Sequence, residues 1–366
     1  MLLGLNVLVL LLAAVAGGLL RVGIVPPGAG DAAWLGHAGG FHAALMIGGF
    51  LGSVIGIERA VAVKRRLAFV APLASALGGL CLLRGQAIAG AWLLVAAATA
   101  FVIVNLVVVR RQLAAHTVLL LVGALAWLAG NLLFATDARP AAPLPWWFAF
   151  LVMTIAAERL EMTRVMRRGP EVGLLLFAVL ALMFAGAAWF VASPAPGGLL
   201  FGIALTLLAA WFGWFDVARR TIRAHGLARY MAVALLGGYA WLAIAGLAWI
   251  GMAFGLPLRD TALHALGLGF IVSMMMGHAP VILPAIARVK LTFGSWFYAP
   301  LIALHVSLAL RLGFGYTDFS WRVRGAVFNA AAMALFIATV AGAALAWRHH
   351  HRHHQRGVAR AAEAAS

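Results

Sequence analysis

Acidic side chains are scarce in this chain. It holds ten Asp and Glu residues against 27 Lys and Arg, and charged residues make up 10% of it, where a soluble domain carries about 25%. That deficit excludes an ordinary water-soluble globule and leaves few carboxylates for a proton-pumping machine. There is one cysteine, Cys81, which excludes an internal disulfide and any metal site built from cysteine alone. It lies in an apolar run and reads as a small packing residue. Strict apolar–polar alternation is missing, which excludes an outer-membrane barrel. No linker or soluble module interrupts the chain. The segment Met1–Leu20 has no basic leader region, so it reads as a first helix and not as a cleaved signal.

What is abundant is hydrocarbon. Apolar residues make up 65% of the sequence and recur in runs of about 20, enough to span a bilayer core. The expected fold is an all-α polytopic membrane protein with about twelve transmembrane helices. The spans fall at 2–20, 33–57, 67–83, 87–109, 116–136, 144–161, 172–193, 197–215, 229–254, 260–287, 294–313 and 323–347. They form one transmembrane domain over 1–348, followed by a basic, His-rich tail over 349–366. The net charge of +17 is spread in short clusters between spans, which argues for contact with membrane lipid and against nucleic acid. The clusters follow even-numbered spans, as in Arg59, Lys64, Arg65 and Arg66, or Arg164, Arg167 and Arg168. By the positive-inside rule both termini are cytoplasmic, in a bacterial inner membrane.

Span two ends in IGIERAVAVKRR and span six in IAAERLEMTRVMRR, a faint echo that a four-span repeat extends to span ten. The doublets Glu58–Arg59 and Glu158–Arg159 read as interfacial charges or helix-end ion pairs, with a proton relay as the alternative.

Five histidines lie inside apolar spans: His37, His42, His264, His278 and His305. An imidazole in hydrocarbon needs a partner, and a metal or haem iron serves it well. For any single one, a backbone carbonyl or a serine is the alternative. By helical rise, His37 and His264 lie about 6 Å below the outer face, and His42 and His305 about 12–13 Å below it. His278 stands apart, near the other face. Fourteen residues separate His264 from His278, close to four α turns, so they are expected on one helix face with Gly267 between them. His37 and His42 point about 140° apart. His116 and His225 fall in basic loops and are expected to be solvated. Met274, Met275 and Met276 read as packing, and Pro280 and Pro284 free backbone carbonyls near His278.

The helix count and the histidines on spans two and ten resemble subunit I of the haem–copper oxidases. The stretches LGHAGGFHAALMIGGFLGSVIG and DTALHALGLGFIVSMMMGHAPVILPAIARV are more closely similar to the two His-bearing helices of the NnrS family, membrane proteins linked to the nitric oxide response. The resemblance implies haem b, and copper as a second metal, held by these histidines. A full oxidase would need six inward ligands, two of them adjacent, where five are present and no span holds His-His.

The expected function is a haem or haem–copper protein that senses, scavenges or reduces a diatomic gas such as nitric oxide. If it is an enzyme, it is a haem-dependent oxidoreductase served by a redox donor or quinol. His37, His42, His264 and His305 are the candidate axial or metal ligands, with His278 a further cofactor-binding candidate. Arg259, with Arg21 and Arg311, is a candidate partner for haem propionates. Two other classes stay open: a secondary transporter with an intramembrane histidine site, and a non-catalytic assembly factor.

Overall fold

The computed structural model describes residues 2–26, 28, 32–137, 139–162, 169–287 and 289–365. Arg164, Arg167, Arg168 and Arg288 of the expected basic clusters lie outside the described residues, as do the side chains of the tail from His350 onward. All the regular structure among the described residues is helical. The long helices are α1 Leu2–Leu20, α2 33–63, α3 Arg66–Leu83, α4 Ala87–Arg111, α5 Ala115–Thr136 and α6 Leu144–Met162. They continue with α7 Pro170–Ala192, α8 Pro194–Phe215, α9 Gly226–Ala253, α10 259–287, α11 Tyr298–Gly313 and α12 Phe319–Ala365.

The helix ends have local causes. Proline opens α7 and α8 at the first helical position, where its missing N–H costs nothing. Between α3 and α4 the chain turns at Gly85, whose φ of +77° a side chain would strain. The last helix does not stop at 348 but runs on through the basic segment to Ala365, since that segment has no proline and is rich in residues that favour helix.

Eleven of these helices, all except α6, are long and apolar enough to cross a membrane. The sixth expected span does form a helix, but Glu158, Arg159 and Glu161 crowd its last turns. Its burial explains how a charged helix is tolerated: almost every residue from Leu144 to Ala157 is shielded from the surface by protein. The outward faces of the other helices are bare hydrocarbon, with Ile88 79% and Leu174 72% exposed, a surface suited to lipid and not to water.

Consecutive helices pack side by side from α2 round to α12, and α1 meets α12 to close the ring. Beyond its chain neighbours α10 touches both α2 and α6, so it links the three helices of the four-span echo. Small residues let backbones approach. A methyl group on Gly202 of α8 would stand 2.7 Å from the Gly246 carbonyl oxygen and 2.8 Å from the Ile250 nitrogen, both on α9; one on Gly213 would meet nothing within 4 Å. Gly202→Ala is therefore expected to cost about 1–3 kcal/mol by overpacking, read as a lower thermal midpoint in detergent, while Gly213→Ala leaves the midpoint in place.

Candidate functional site

Two helices are irregular in the same way. In α2 an eight-residue π-helix, Leu45–Gly52, follows His42, and in α10 another, Ala265–Val272, follows His264. Such widened turns take up more residues than α turns and occur most often at functional sites. They also explain a departure from the sequence expectation. The α periodicity that would set His264 and His278 on one face is broken between them, and the two rings serve opposite ends of the bundle.

His42 and His264 line one cavity of about 470 Å³ among α1, α2, α6, α10, α11 and α12, within the usual range for a bound cofactor or small ligand. Its walls are apolar, with Leu19, Met46, Leu151, Phe148 and Leu263 among them. Gly267 leaves a flat face: a methyl there would meet nothing closer than Phe148 Cε1 at 3.8 Å. At one end the wall carries Arg21, Arg259, Arg311 and Arg322 against a single carboxylate, Asp260.

Each ring is oriented through Nδ1. In His42, Nδ1 lies 2.8 Å from the Ala14 carbonyl oxygen, and Gly18 gives the ring room. In His264, Nδ1 lies 3.0 Å from the Asp260 carbonyl oxygen and 3.0 Å from its carboxylate Oδ1. A ring whose Nδ1–H donates to an oxygen keeps its Nε2 lone pair for a ligand, the usual arrangement of a metal-binding imidazole. Asp260 is itself held by a fork from Arg311, with Nη2–Oδ1 at 2.8 Å and Nε–Oδ2 at 3.0 Å. The other cations are less engaged: Arg21 reaches the Gly39 carbonyl at 3.1 Å, and Arg322 the Gly315 carbonyl. No ion pair of Arg259 is found among the described residues.

The remaining histidines lie elsewhere. His37 sits on the short first segment of α2, which breaks at Phe41; its Nδ1 is 3.1 Å from the Leu83 carbonyl oxygen, beside Gly85. His305 lies between α9 and α11, where the Trp241 indole N–H donates to its Nδ1 at 2.7 Å. The neutral ring then carries its proton on Nε2 and has no lone pair to offer. His278 donates to the Met274 carbonyl at 2.8 Å and turns Nε2 toward Arg159 at 3.5 Å. Depth alone paired His37 with His264 and His42 with His305; the structure brings His42 and His264 together and leaves His37 and His305 outside the cavity. Among the described residues no group of three or more His, Cys, Asp or Glu is arranged to hold a metal ion. His225 is exposed as expected. His116 is not solvated but 6% exposed, with Nε2 3.9 Å from Glu161, because α5 starts against the end of α6.

Three contributors were absent from the sequence reading. Asp260 fixes a histidine and an arginine at once. Arg322 adds a cation from α12. Asn329, 4% exposed, lines the cavity with neither amide atom hydrogen-bonded. An asparagine in an apolar span was the available signal, by the rule that singled out the histidines.

A family model described as Domain of unknown function (DUF8744) matches residues 1–345. No curated protein and no solved structure matches the chain.

Breaking the Arg311–Asp260 fork strands a mostly buried charge, so Arg311→Leu is expected to cost on the order of 2–3 kcal/mol. Thermal unfolding in detergent should show that loss, and Asp260→Asn should show one of similar size because it leaves the Arg311 guanidinium, 8% exposed, without its carboxylate.

Proposed function

We propose that this chain, a member of the DUF8744 family, is a multi-pass protein of the bacterial inner membrane that binds haem b between His42 and His264. One observation carries the reading: two imidazoles, each with Nδ1 tied to an oxygen, face one apolar cavity whose end is lined with arginine. The donor set fits the group. The flat face at Gly267 admits a macrocycle, and Arg21 and Arg259 suit two propionates as charge-assisted donors. The topology that goes with this reading has twelve crossings and both termini in the cytoplasm, with the arginine-lined end of the cavity toward the outer face.

Bound there, the haem supplies a redox-active iron able to take a diatomic gas. The protein's own residues do the rest. His42 and His264 hold their Nε2 lone pairs toward the cavity, and Asp260 orients His264 while Arg311 holds Asp260 in place. The apolar walls exclude water. A haem held by these two histidines would suit electron transfer or gas sensing better than high turnover. Nitric oxide is the gas that the NnrS resemblance suggests. Copper has weaker support, since His37 and His305 lie away from the cavity.

A secondary transporter is the second reading, favoured by Pro280 and Pro284 inside α10, which deprive an unbroken central helix of two backbone hydrogen bonds and leave carbonyls free for a substrate.

The deciding measurement is an absorption spectrum of detergent-purified protein, air-oxidised and dithionite-reduced, with metal analysis. A Soret band with sharp reduced α and β bands is expected, lost or converted to a five-coordinate form in His42→Ala and His264→Ala and retained in His37→Ala and His305→Ala. Arg21→Ala and Arg259→Ala should each weaken haem affinity about tenfold, as for a lost contact of roughly 1.4 kcal/mol. A featureless, iron-free spectrum from haem-replete cells would overturn the haem reading, and substrate flux in proteoliposomes would then establish the transporter.

A further inference from the structure

Five cations gather at the end of the bundle away from the arginine-lined cavity. Helix α2 ends at Val63, and the turn into α3 carries Lys64, Arg65 and Arg66; this turn lies more than three helical turns beyond Leu51, the last residue of α2 to line the cavity. Helix α4 ends on Arg110 and Arg111. The first turn of α3, Arg66–Phe69, touches both α2 and α4, and α2 touches α4. Arg111 Nη1 ties the ends together by donating to the Val63 carbonyl oxygen at 3.4 Å. The cations are therefore one cluster, although a whole helical hairpin lies between its halves in sequence. All five residues are exposed, and none makes an ion pair with a described residue. Glu161, at the same end of the bundle, lies toward His116 instead. Arg219, in the turn after α8, is differently placed: it bonds the Trp214 carbonyl and lies over the Trp214 ring.

What lies below the cations is hydrocarbon in a particular order. On α3, Leu67 is 83% exposed and is followed by Val70, Leu73 and Leu77, all exposed, at the three- and four-residue spacing that makes one ridge on a helix. On α4, Arg110, Leu106 and Ile103 share a face by the same spacing, and both apolar residues are exposed. Leu113, 82% exposed, stands just beyond Arg111. The two helices pack against each other. Each ridge thus begins at a cation and continues as bare hydrocarbon, which is the order of charge and chain in an anionic phospholipid. A soluble acidic protein matches the cations but not the ridges. A neutral lipid matches the ridges and leaves five like charges unanswered. Topology alone asks for cations at this end of the helices, but it does not ask for them to be drawn together from two separate helix ends.

We propose that the α2–α3 turn and the end of α4 form a binding site for an anionic phospholipid, with the phosphate among the five cations and the acyl chains against the ridges of α3 and α4. Guanidiniums suit the phosphate because they offer it paired N–H donors. The site is independent of what the cavity holds.

The test offers the detergent-purified full-length protein phosphatidylglycerol and phosphatidylcholine with the same acyl chains, and counts the lipid retained by native mass spectrometry. The wild-type protein should retain phosphatidylglycerol in excess. Arg110→Gln combined with Arg111→Gln should weaken that binding about thirtyfold, as for two charges worth roughly 1 kcal/mol each. Leu67→Glu, which sets a carboxylate at the head of a ridge, should weaken it as well. Arg220→Gln combined with Arg223→Gln, the same loss of charge after α8, should leave it unchanged. Equal retention of the two lipids by the wild-type protein overturns the proposal, and that measurement needs no variant to fold. An equal loss in the Arg220 and Arg223 variant assigns the preference to net charge and overturns the site. Undiminished binding in the Arg110 and Arg111 variant also overturns it, in favour of a soluble acidic partner for the cluster. Elution as a monodisperse species confirms that each variant compared is folded.

Discussion

Imidazole orientation depends on a constraint that water would remove. Inside a helical bundle faced with hydrocarbon, every ring N–H must find an oxygen within the protein. Four of the five histidines in the apolar helices meet this demand in one way, with Nδ1 against a backbone carbonyl. The consequence is chemical as well as structural. A ring fixed through Nδ1–H has no freedom to choose its tautomer, and its lone pair is committed to Nε2. Where Nε2 faces a cavity, as for His42 and His264, the ring is ready for a ligand. Where it faces an arginine, as for His278, the ring becomes part of a charge network. His305, bonded by the Trp241 indole in the opposite sense, is the control that shows how much the direction of one hydrogen bond decides.

The bundle is consequently two-ended. At one end α2 and α10 widen into π turns beside a histidine and leave room between helices. At the other end α6 brings charges inward, and its own burial in protein is what makes Glu158 and Arg159 tolerable there. A π segment costs hydrogen-bond geometry, and two of them in register with two facing histidines is an arrangement that packing alone does not demand.

Much of this fold was legible in the sequence. The starts of the long helices fall within four residues of the expected spans, because runs of Leu, Val and Ala between Arg-rich loops leave little freedom in where a helix begins. The candidate site was legible only in part. His42 and His264 stood out as polar residues in apolar runs, but their partnership did not. Depth computed from an ideal α rise paired each with another histidine, since depth says nothing of which helices adjoin: His37 turns to Leu83 of α3 and His305 to Trp241 of α9. Asp260 was hidden for another reason. It looks like a helix-start carboxylate, and only the return of α11 brings Arg311 to it. The echo of Glu58–Arg59 in Glu158–Arg159 was visible as a pattern, but the doublets read as separate ion pairs. The structure instead gives Arg159 to Asp216 of α8.

The cation excess at the end of the cavity bears most directly on what the site holds. Arg21 and Arg259 lie within electrostatic reach of each other, and Asp260 is already committed to Arg311 and His264. Two like charges held close at the edge of an apolar chamber repel, which works against the fold. Water alone would have to screen that repulsion at the edge of an apolar chamber. An anion set between the guanidiniums turns the same repulsion into binding energy, and the apolar walls then require the rest of the ligand to be hydrocarbon. The cavity therefore selects for an amphiphile with its negative charge at one edge. On the proposed reading a porphyrin dicarboxylate would answer that description, and the two Nε2 lone pairs would distinguish it from a fatty acid or a lipid, which would have no use for them.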